Sequence, residues 1–123
     1  MRSASSFLDL VCAWLVALLG VLHLFVGRAV FMAPTTERIW FASAGFLLIV
    51  TGLANVAAHG KADRAANGAA LAGNVSILLL GLLIARSDPD LLRQPQTLVL
   101  LALGGFLAIQ RLRAFTRGRR RRR

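Results

Sequence analysis

Long apolar stretches separated by short polar segments dominate this chain. Uncharged runs extend over Leu10–Gly27, Ile39–Gly60, Ala65–Ala85 and Gln94–Gln110. Each run approaches the length of about 20 residues that an α-helix needs to cross the hydrocarbon core of a bilayer. The pattern predicts four membrane-spanning helices, over about residues 10–32, 39–60, 65–85 and 95–112.

The polar segments between these runs contain residue types that begin and end helices. Thr35 or Thr36 can cap the second helix, and Asp63 can cap the third. Gly60 suits the end of the second helix, and Pro95 suits the first turn of the fourth. Because such short connections make consecutive helices antiparallel neighbours, we expect an all-α fold, an integral membrane four-helix transmembrane bundle.

The composition supports the same class of protein. Hydrophobic residues make up 57% of the 123 residues and charged residues 16%. The mean hydropathy of +0.67 is typical of a membrane protein. A water-soluble domain of this length and composition would expose large apolar patches and would aggregate.

The formal net charge of +10 first suggests a nucleic-acid partner, but most of the positive charge lies at the C-terminus rather than across the chain. Eight of the 15 Lys and Arg residues lie between Arg111 and Arg123, and the rest of the chain carries only +2. We therefore divide the chain into a transmembrane domain, residues 1–110, and a cytoplasmic polybasic tail, residues 111–123. Phe115 is the only aromatic residue in the tail, so base stacking has little support and we expect no nucleic-acid partner.

The tail arginines are instead candidate contacts to anionic lipid head groups, which attract clustered cations near a membrane surface. These candidates are Arg111, Arg113, Arg117, Arg119, Arg120, Arg121, Arg122 and Arg123.

The distribution of cations also predicts the orientation. The N-terminus, the second loop and the tail hold eleven Lys and Arg residues, whereas the first and third loops hold four. Cytoplasmic segments carry the excess of these residues, so we expect both termini in the cytoplasm (N-in/C-in). Fourteen of the 15 cations are Arg, a usage typical of GC-rich bacterial genomes, and we expect a bacterial plasma membrane.

Four polar side chains lie inside the predicted spans and are candidate intramembrane contacts: His23, Asn55, Asn67 and Asn74. From the rise of a helix, His23 lies about 20 Å and Asn74 about 15 Å from the cytoplasmic end, so we expect them to meet if the first and third helices touch. Asn55 and Asn67 both lie within about 8 Å of that end, and we expect a hydrogen bond between them. Such side chains either hold helices together or contact a ligand.

The sequence contains no pattern that indicates catalysis, a metal or a cofactor. Paired carboxylates, a nucleophile with a base, and clustered metal ligands are absent from it, and the lone Cys12 cannot form an internal disulfide. The different depths of His23 and His59 argue against a haem held by both.

Two functions remain open from the sequence. The first is a non-enzymatic accessory or assembly component, which packs its small residues against itself or against a membrane-protein partner. The small residues Ala65, Ala69 and Gly73 of the third helix would allow such close packing. The alternative is a carrier or binder of a small lipophilic molecule, with His23 and Asn74 lining an interior pocket.

Overall fold

The computed structural model gives the backbone of residues 4–33 and 35–120, and the side chains of residues 6–33, 35–90 and 93–116. Over this part of the chain there are four α-helices, one 3-10 helix and no strand. They are α1 (Ala4–Val30), α2 (Thr36–Ala58), α3 (Arg64–Ser87), the 3-10 helix (Pro89–Arg93) and α4 (Pro95–Arg120). Each α-helix is long and apolar enough to cross a membrane, so the predicted all-helical class with four candidate spans is confirmed.

Two helices extend further than the hydropathy pattern predicts. Helix α1 begins at Ala4, before the expected residue 10, and α4 continues to Arg120, past the expected residue 112. The added part of α1 contains Asp9, and α4 continues past Arg111, the residue at which the tail is expected to begin. These two residues are buried together inside the bundle, so their charges do not end the helices.

The predicted N-caps are present at the beginnings of α2 and α3. Thr35 Oγ1 accepts a hydrogen bond from the backbone N–H of Arg38 at 3.3 Å, and Asp63 Oδ1 accepts one from that of Ala65 at 2.9 Å. Gly60 follows α2 with a φ of 69°, a left-handed conformation that glycine adopts without steric cost. The position of the turn between α2 and α3 is therefore determined by its own residues, Gly60 and Asp63.

The four helices form a square in which each packs against its neighbours in the cycle α1, α2, α3, α4. Helices α1 and α3 are consequently diagonal to each other. Helices α1 and α3 begin, and α2 and α4 end, on the same side of the bundle, which we call the polar end.

Helices α1 and α2 approach each other so closely that their backbones touch. A Cβ atom on Gly20 would lie 2.6 Å from the carbonyl oxygen of Gly45, and one on Gly52 would lie 2.5 Å from the backbone nitrogen of Ala17. Only glycine permits this separation of helix axes. The small apolar core nearby consists of Ala13, Val16, Leu48, Ile77 and Leu107.

Large apolar side chains cover the outside of the bundle. On each helix at least one of them is more than half exposed, as for Phe25, Phe46, Leu83 and Ile109. In water these groups would form extended apolar patches, whereas lipid chains solvate them without cost.

Candidate functional site: a polar cluster at one end of the bundle

Four side chains from different parts of the chain meet at the polar end. Asp9 lies in α1, His59 directly follows α2, Asn67 lies in the first turn of α3, and Arg111 lies in α4. We call these four residues the polar cluster. Because all four helices contribute to it, or lead directly into it, this cluster ties one end of the bundle together.

The carboxylate of Asp9 is the centre of the polar cluster. His59 Nδ1 donates to Asp9 Oδ2 at 2.8 Å, and Arg111 Nη2 donates to the same oxygen. The residues of this ion pair are only 7% (Asp9) and 3% (Arg111) exposed. Charges buried to this degree need a partner because each has lost most of its hydration.

Asn67 connects the ion pair to the loop between α2 and α3. Its Oδ1 accepts from Arg111 Nη1 at 3.4 Å, while its Nδ2 donates to the carbonyl oxygens of Lys61 at 3.0 Å and Asp63 at 2.7 Å. The amide therefore satisfies loop carbonyls that would otherwise lack a donor. It also orients the guanidinium group towards Asp9.

Ser6 extends the polar cluster by one contact. Its hydroxyl lies 3.4 Å from His59 Nε2, and since a carboxylate can only accept, a neutral His59 carries its proton on Nδ1 and accepts from Ser6. The order hydroxyl, imidazole, carboxylate is that of a serine hydrolase. However, 3.4 Å is long for proton transfer, and the carboxylate oxygen is shared with Arg111. The contacts are better suited to holding α1 against the end of α2.

A second polar contact lies deeper, between α2 and α3. Asn55 Nδ2 donates to Asn74 Oδ1 at 3.0 Å, and Asn74 Nδ2 donates to Asn55 Oδ1 at 3.1 Å. Asn55 Nδ2 also donates to the backbone carbonyl of Thr51 at 2.8 Å. Both asparagines are fully buried, and each satisfies the other.

The expected hydrogen bond between Asn55 and Asn67 is therefore wrong, and the direction of helical side chains explains why. Side chains lean towards the N-terminus of their own helix. In antiparallel helices, Asn55 leans away from the polar end and Asn74 leans towards it, so the two converge. Asn67, in the first turn of α3, leans towards the polar end and reaches the loop carbonyls and Arg111 instead.

The expected contact between His23 and Asn74 is also wrong. The ring of His23 stacks on Phe41 of α2, with centroids 3.6 Å apart and planes inclined by 6°. Asn74 is fully engaged with Asn55, and α1 and α3 are diagonal in the bundle. The two residues have similar expected depths along the bundle axis, but the helices that hold them are not neighbours.

The prediction that Arg111 contacts lipid from the tail is also wrong. Its guanidinium is buried against Asp9 and Asn67, facing the bundle interior. Arg113, two residues later, is exposed. The side chains of Arg117, Arg119 and Arg120, and all of Arg121, Arg122 and Arg123, lie outside the described residues.

An open cleft of about 280 Å³ lies beside the polar cluster. Its lining includes Asp9 and Arg111 together with Ser6, His59, Lys61, Gln110 and Arg113. Within the described part of the chain, no group of three His, Cys, Asp or Glu side chains could hold a metal ion. The cleft is thus rich in hydrogen-bond donors and in cations.

Sequence reasoning missed the roles of Asp9 and His59 in this site. A signal for them was present, since Asp9, His59 and Arg111 all lie close to the ends of apolar runs. In an antiparallel bundle, the beginning of the first helix and the end of the fourth lie on the same side. An acid and a base at those two ends are therefore candidates for an ion pair.

Comparison of the chain with family models, with curated proteins and with solved structures finds no significant match.

Proposed function

We propose that this protein is a small multi-pass component of a bacterial plasma membrane that acts in the assembly of membrane proteins rather than as an enzyme. Both termini lie in the cytoplasm in this proposal, which makes the polar end the cytoplasmic end. The lipid-facing surfaces of the helices are then the surfaces that contact other proteins.

The reciprocal amide pair of Asn55 and Asn74 is the observation that carries this proposal. These are the most deeply placed amides of the interior, and each uses its donor and acceptor on the other. Interhelical hydrogen bonds of this type stabilise membrane bundles. Because these two amides satisfy each other rather than a ligand, we assign partner binding to the exposed faces of the helices.

Site-specific photo-crosslinking in intact membranes tests the proposal. A benzophenone amino acid is placed singly at four exposed positions, one on each helix: Phe25, Phe46, Leu83 and Ile109. We expect a discrete protein adduct from at least one helix face and only lipid adducts from the others. An adduct of twice the chain mass of 13.2 kDa would identify a homo-oligomer.

The same four variants, irradiated after dispersal in a harsh detergent, are the matched control, because a genuine partner is lost there. Lipid adducts alone at all four positions would contradict an assembly role. A lipophilic molecule that co-purifies with the chain at a one-to-one ratio would favour the carrier function instead.

The non-enzymatic part of the proposal has a separate test at Ser6. A fluorophosphonate probe reacts with serine hydroxyl groups that a histidine activates. We expect no labelling of the purified chain above the level of the Ser6→Ala variant. Labelling that depends on Ser6, His59 and Asp9 together would establish a hydrolase and contradict the proposal.

A further inference from the structure

The cleft at the polar end contains more positive than negative charge. Lys61, Arg111 and Arg113 line it together with a single acid, Asp9. Arg111 is paired with that acid, so the charges of Lys61 and Arg113 remain uncompensated. Neither of these two exposed side chains forms an ion pair with any acid among the described residues.

Two further polar side chains accompany the two cations. The hydroxyl of Ser6 and the side-chain amide of Gln110 line the same cleft. Its volume of about 280 Å³ corresponds to roughly ten water-sized groups. This combination of two free cations with a hydroxyl and a side-chain amide suits a phosphate ester that also carries hydroxyl groups.

The depth of the cleft matches the head-group layer of a bilayer. Helix α1 has 27 residues and is therefore about 40 Å long, whereas the hydrocarbon core is about 30 Å thick. The helix ends thus extend into the head groups on both sides. Asp9, five residues after the start of α1, lies about 8 Å from that end, near the boundary between head groups and hydrocarbon.

We propose that this cleft binds the phosphodiester head group of one anionic phospholipid molecule. The phosphate lies between Lys61 and Arg113, and the hydroxyl groups of the head group face Ser6 and Gln110. The Asp9–Arg111 pair forms the floor of the site and holds α1 and α4 at a fixed separation. The proposal depends on the membrane insertion given under the proposed function, but it does not depend on a protein partner.

Native mass spectrometry of the full chain in a mild detergent tests this site. The protein is titrated with short-chain phosphatidylglycerol and, separately, with phosphatidylcholine of the same chain length. We expect one phosphatidylglycerol molecule to remain bound at a collision energy that removes phosphatidylcholine. The Lys61→Ala/Arg113→Ala variant should bind phosphatidylglycerol about 25-fold more weakly, since each cation near a lipid surface contributes about fivefold.

The matched control is Arg28→Ala/Arg86→Ala, which removes two exposed cations from the opposite end of the bundle. An equal loss of phosphatidylglycerol binding in the two double variants would overturn the proposal, because binding would then depend on cations in general and not on this cleft. All four positions are exposed, so circular dichroism should show unchanged helix content in both variants.

A soluble competitor distinguishes a lipid from a free phosphate ester. Glycerol phosphate should displace phosphatidylglycerol only at concentrations far above that of the lipid. If glycerol phosphate binds the cleft and phosphatidylglycerol does not, the assignment to a lipid is wrong. A chain that fails to enter the membrane fraction would contradict the proposed function, whereas a chain that inserts without selective lipid binding would contradict only this inference.

Discussion

The fully buried amides of Asn55 and Asn74 depend on each other, which can be measured by substitution. Asn55→Ala leaves the Asn74 amide buried without its partner, and we expect it to lower the free energy of unfolding by about 1–3 kcal/mol. Asn74→Ala should have a similar effect. The double variant should cost less than the sum of the two, because removing both partners leaves no unpaired amide.

Equilibrium unfolding of the four proteins in the same micelles measures this coupling. Ser76→Ala is the matched control, since that exposed hydroxyl bonds only to the Ala72 carbonyl of its own helix. Strict additivity of the two Asn substitutions would show that the pair is not formed.

Asp9 and Arg111 should respond to substitution in a different way. Either single change, Asp9→Leu or Arg111→Met, leaves one charge buried without its partner, and we expect a loss of about 3–5 kcal/mol. The double variant replaces both charges with apolar side chains and should recover much of that loss. Thermal unfolding in one detergent checks the order of stabilities, and a double variant less stable than both single variants would argue against the ion pair.

The sequence identified some residues of the site but not their contacts. The three asparagines could be singled out because amides are expensive inside a membrane. Their pairing could not be read correctly from depth, because the lean of a side chain along its helix shifts its polar atoms by several ångströms. His59 was considered only as a haem ligand, since it lies at the end of the predicted span, where a polar residue needs no buried partner.

At the scale of elements, the close contact of α1 and α2 depends on particular glycines. A Cβ on Gly52 would meet the backbone of Ala17 at 2.5 Å, and backbone cannot move aside without separating the helices. We therefore expect Gly52→Ala to destabilise the bundle by about 1–3 kcal/mol. The measurement is unfolding in micelles with the chain otherwise unchanged.

Gly105→Ala is the matched substitution on α4, where a Cβ would find no atom within 4 Å. It should not lower the free energy of unfolding, because alanine also has the better helix propensity. Equal losses at Gly52 and Gly105 would mean that helix propensity, rather than the contact between α1 and α2, determines the effect.

The helices themselves were largely predictable because apolar run length and capping residues are local signals. Thr35, Gly60 and Asp63 take the roles that their side chains favour. The true start of α1 and the true end of α4 were not predictable from local signals. Asp9 and Arg111 lie near these two ends and pair across 102 positions of the chain, a contact that local signals do not reveal.

For the whole molecule, the polybasic tail is the main determinant of the orientation that we propose. Replacing the six arginines at 117 and 119–123 with Gln would reduce the cation count on the expected cytoplasmic side from eleven to five, against four on the other side. We expect this variant to insert in both orientations, because little bias remains. A cytoplasm-only reporter fused after residue 123 should lose about half of its activity relative to the unaltered chain.

Replacing Arg28 and Arg86 with Gln is the control, since it removes cations from the opposite side and strengthens the bias. That variant should keep the reporter fully active. Activity of a periplasm-only reporter after residue 123 of the unaltered chain would overturn the proposed topology.

The pairing of the first helix with the last also imposes an order of events during biosynthesis. Asp9 and His59 leave the ribosome long before Arg111, which lies 102 residues after Asp9. Until the last helix is made, the carboxylate of Asp9 lacks its guanidinium partner, and the first three helices cannot complete this end of the bundle. A chain truncated before Arg111 would keep Asp9 without its guanidinium partner, a defect by which an unfinished copy differs from a finished one.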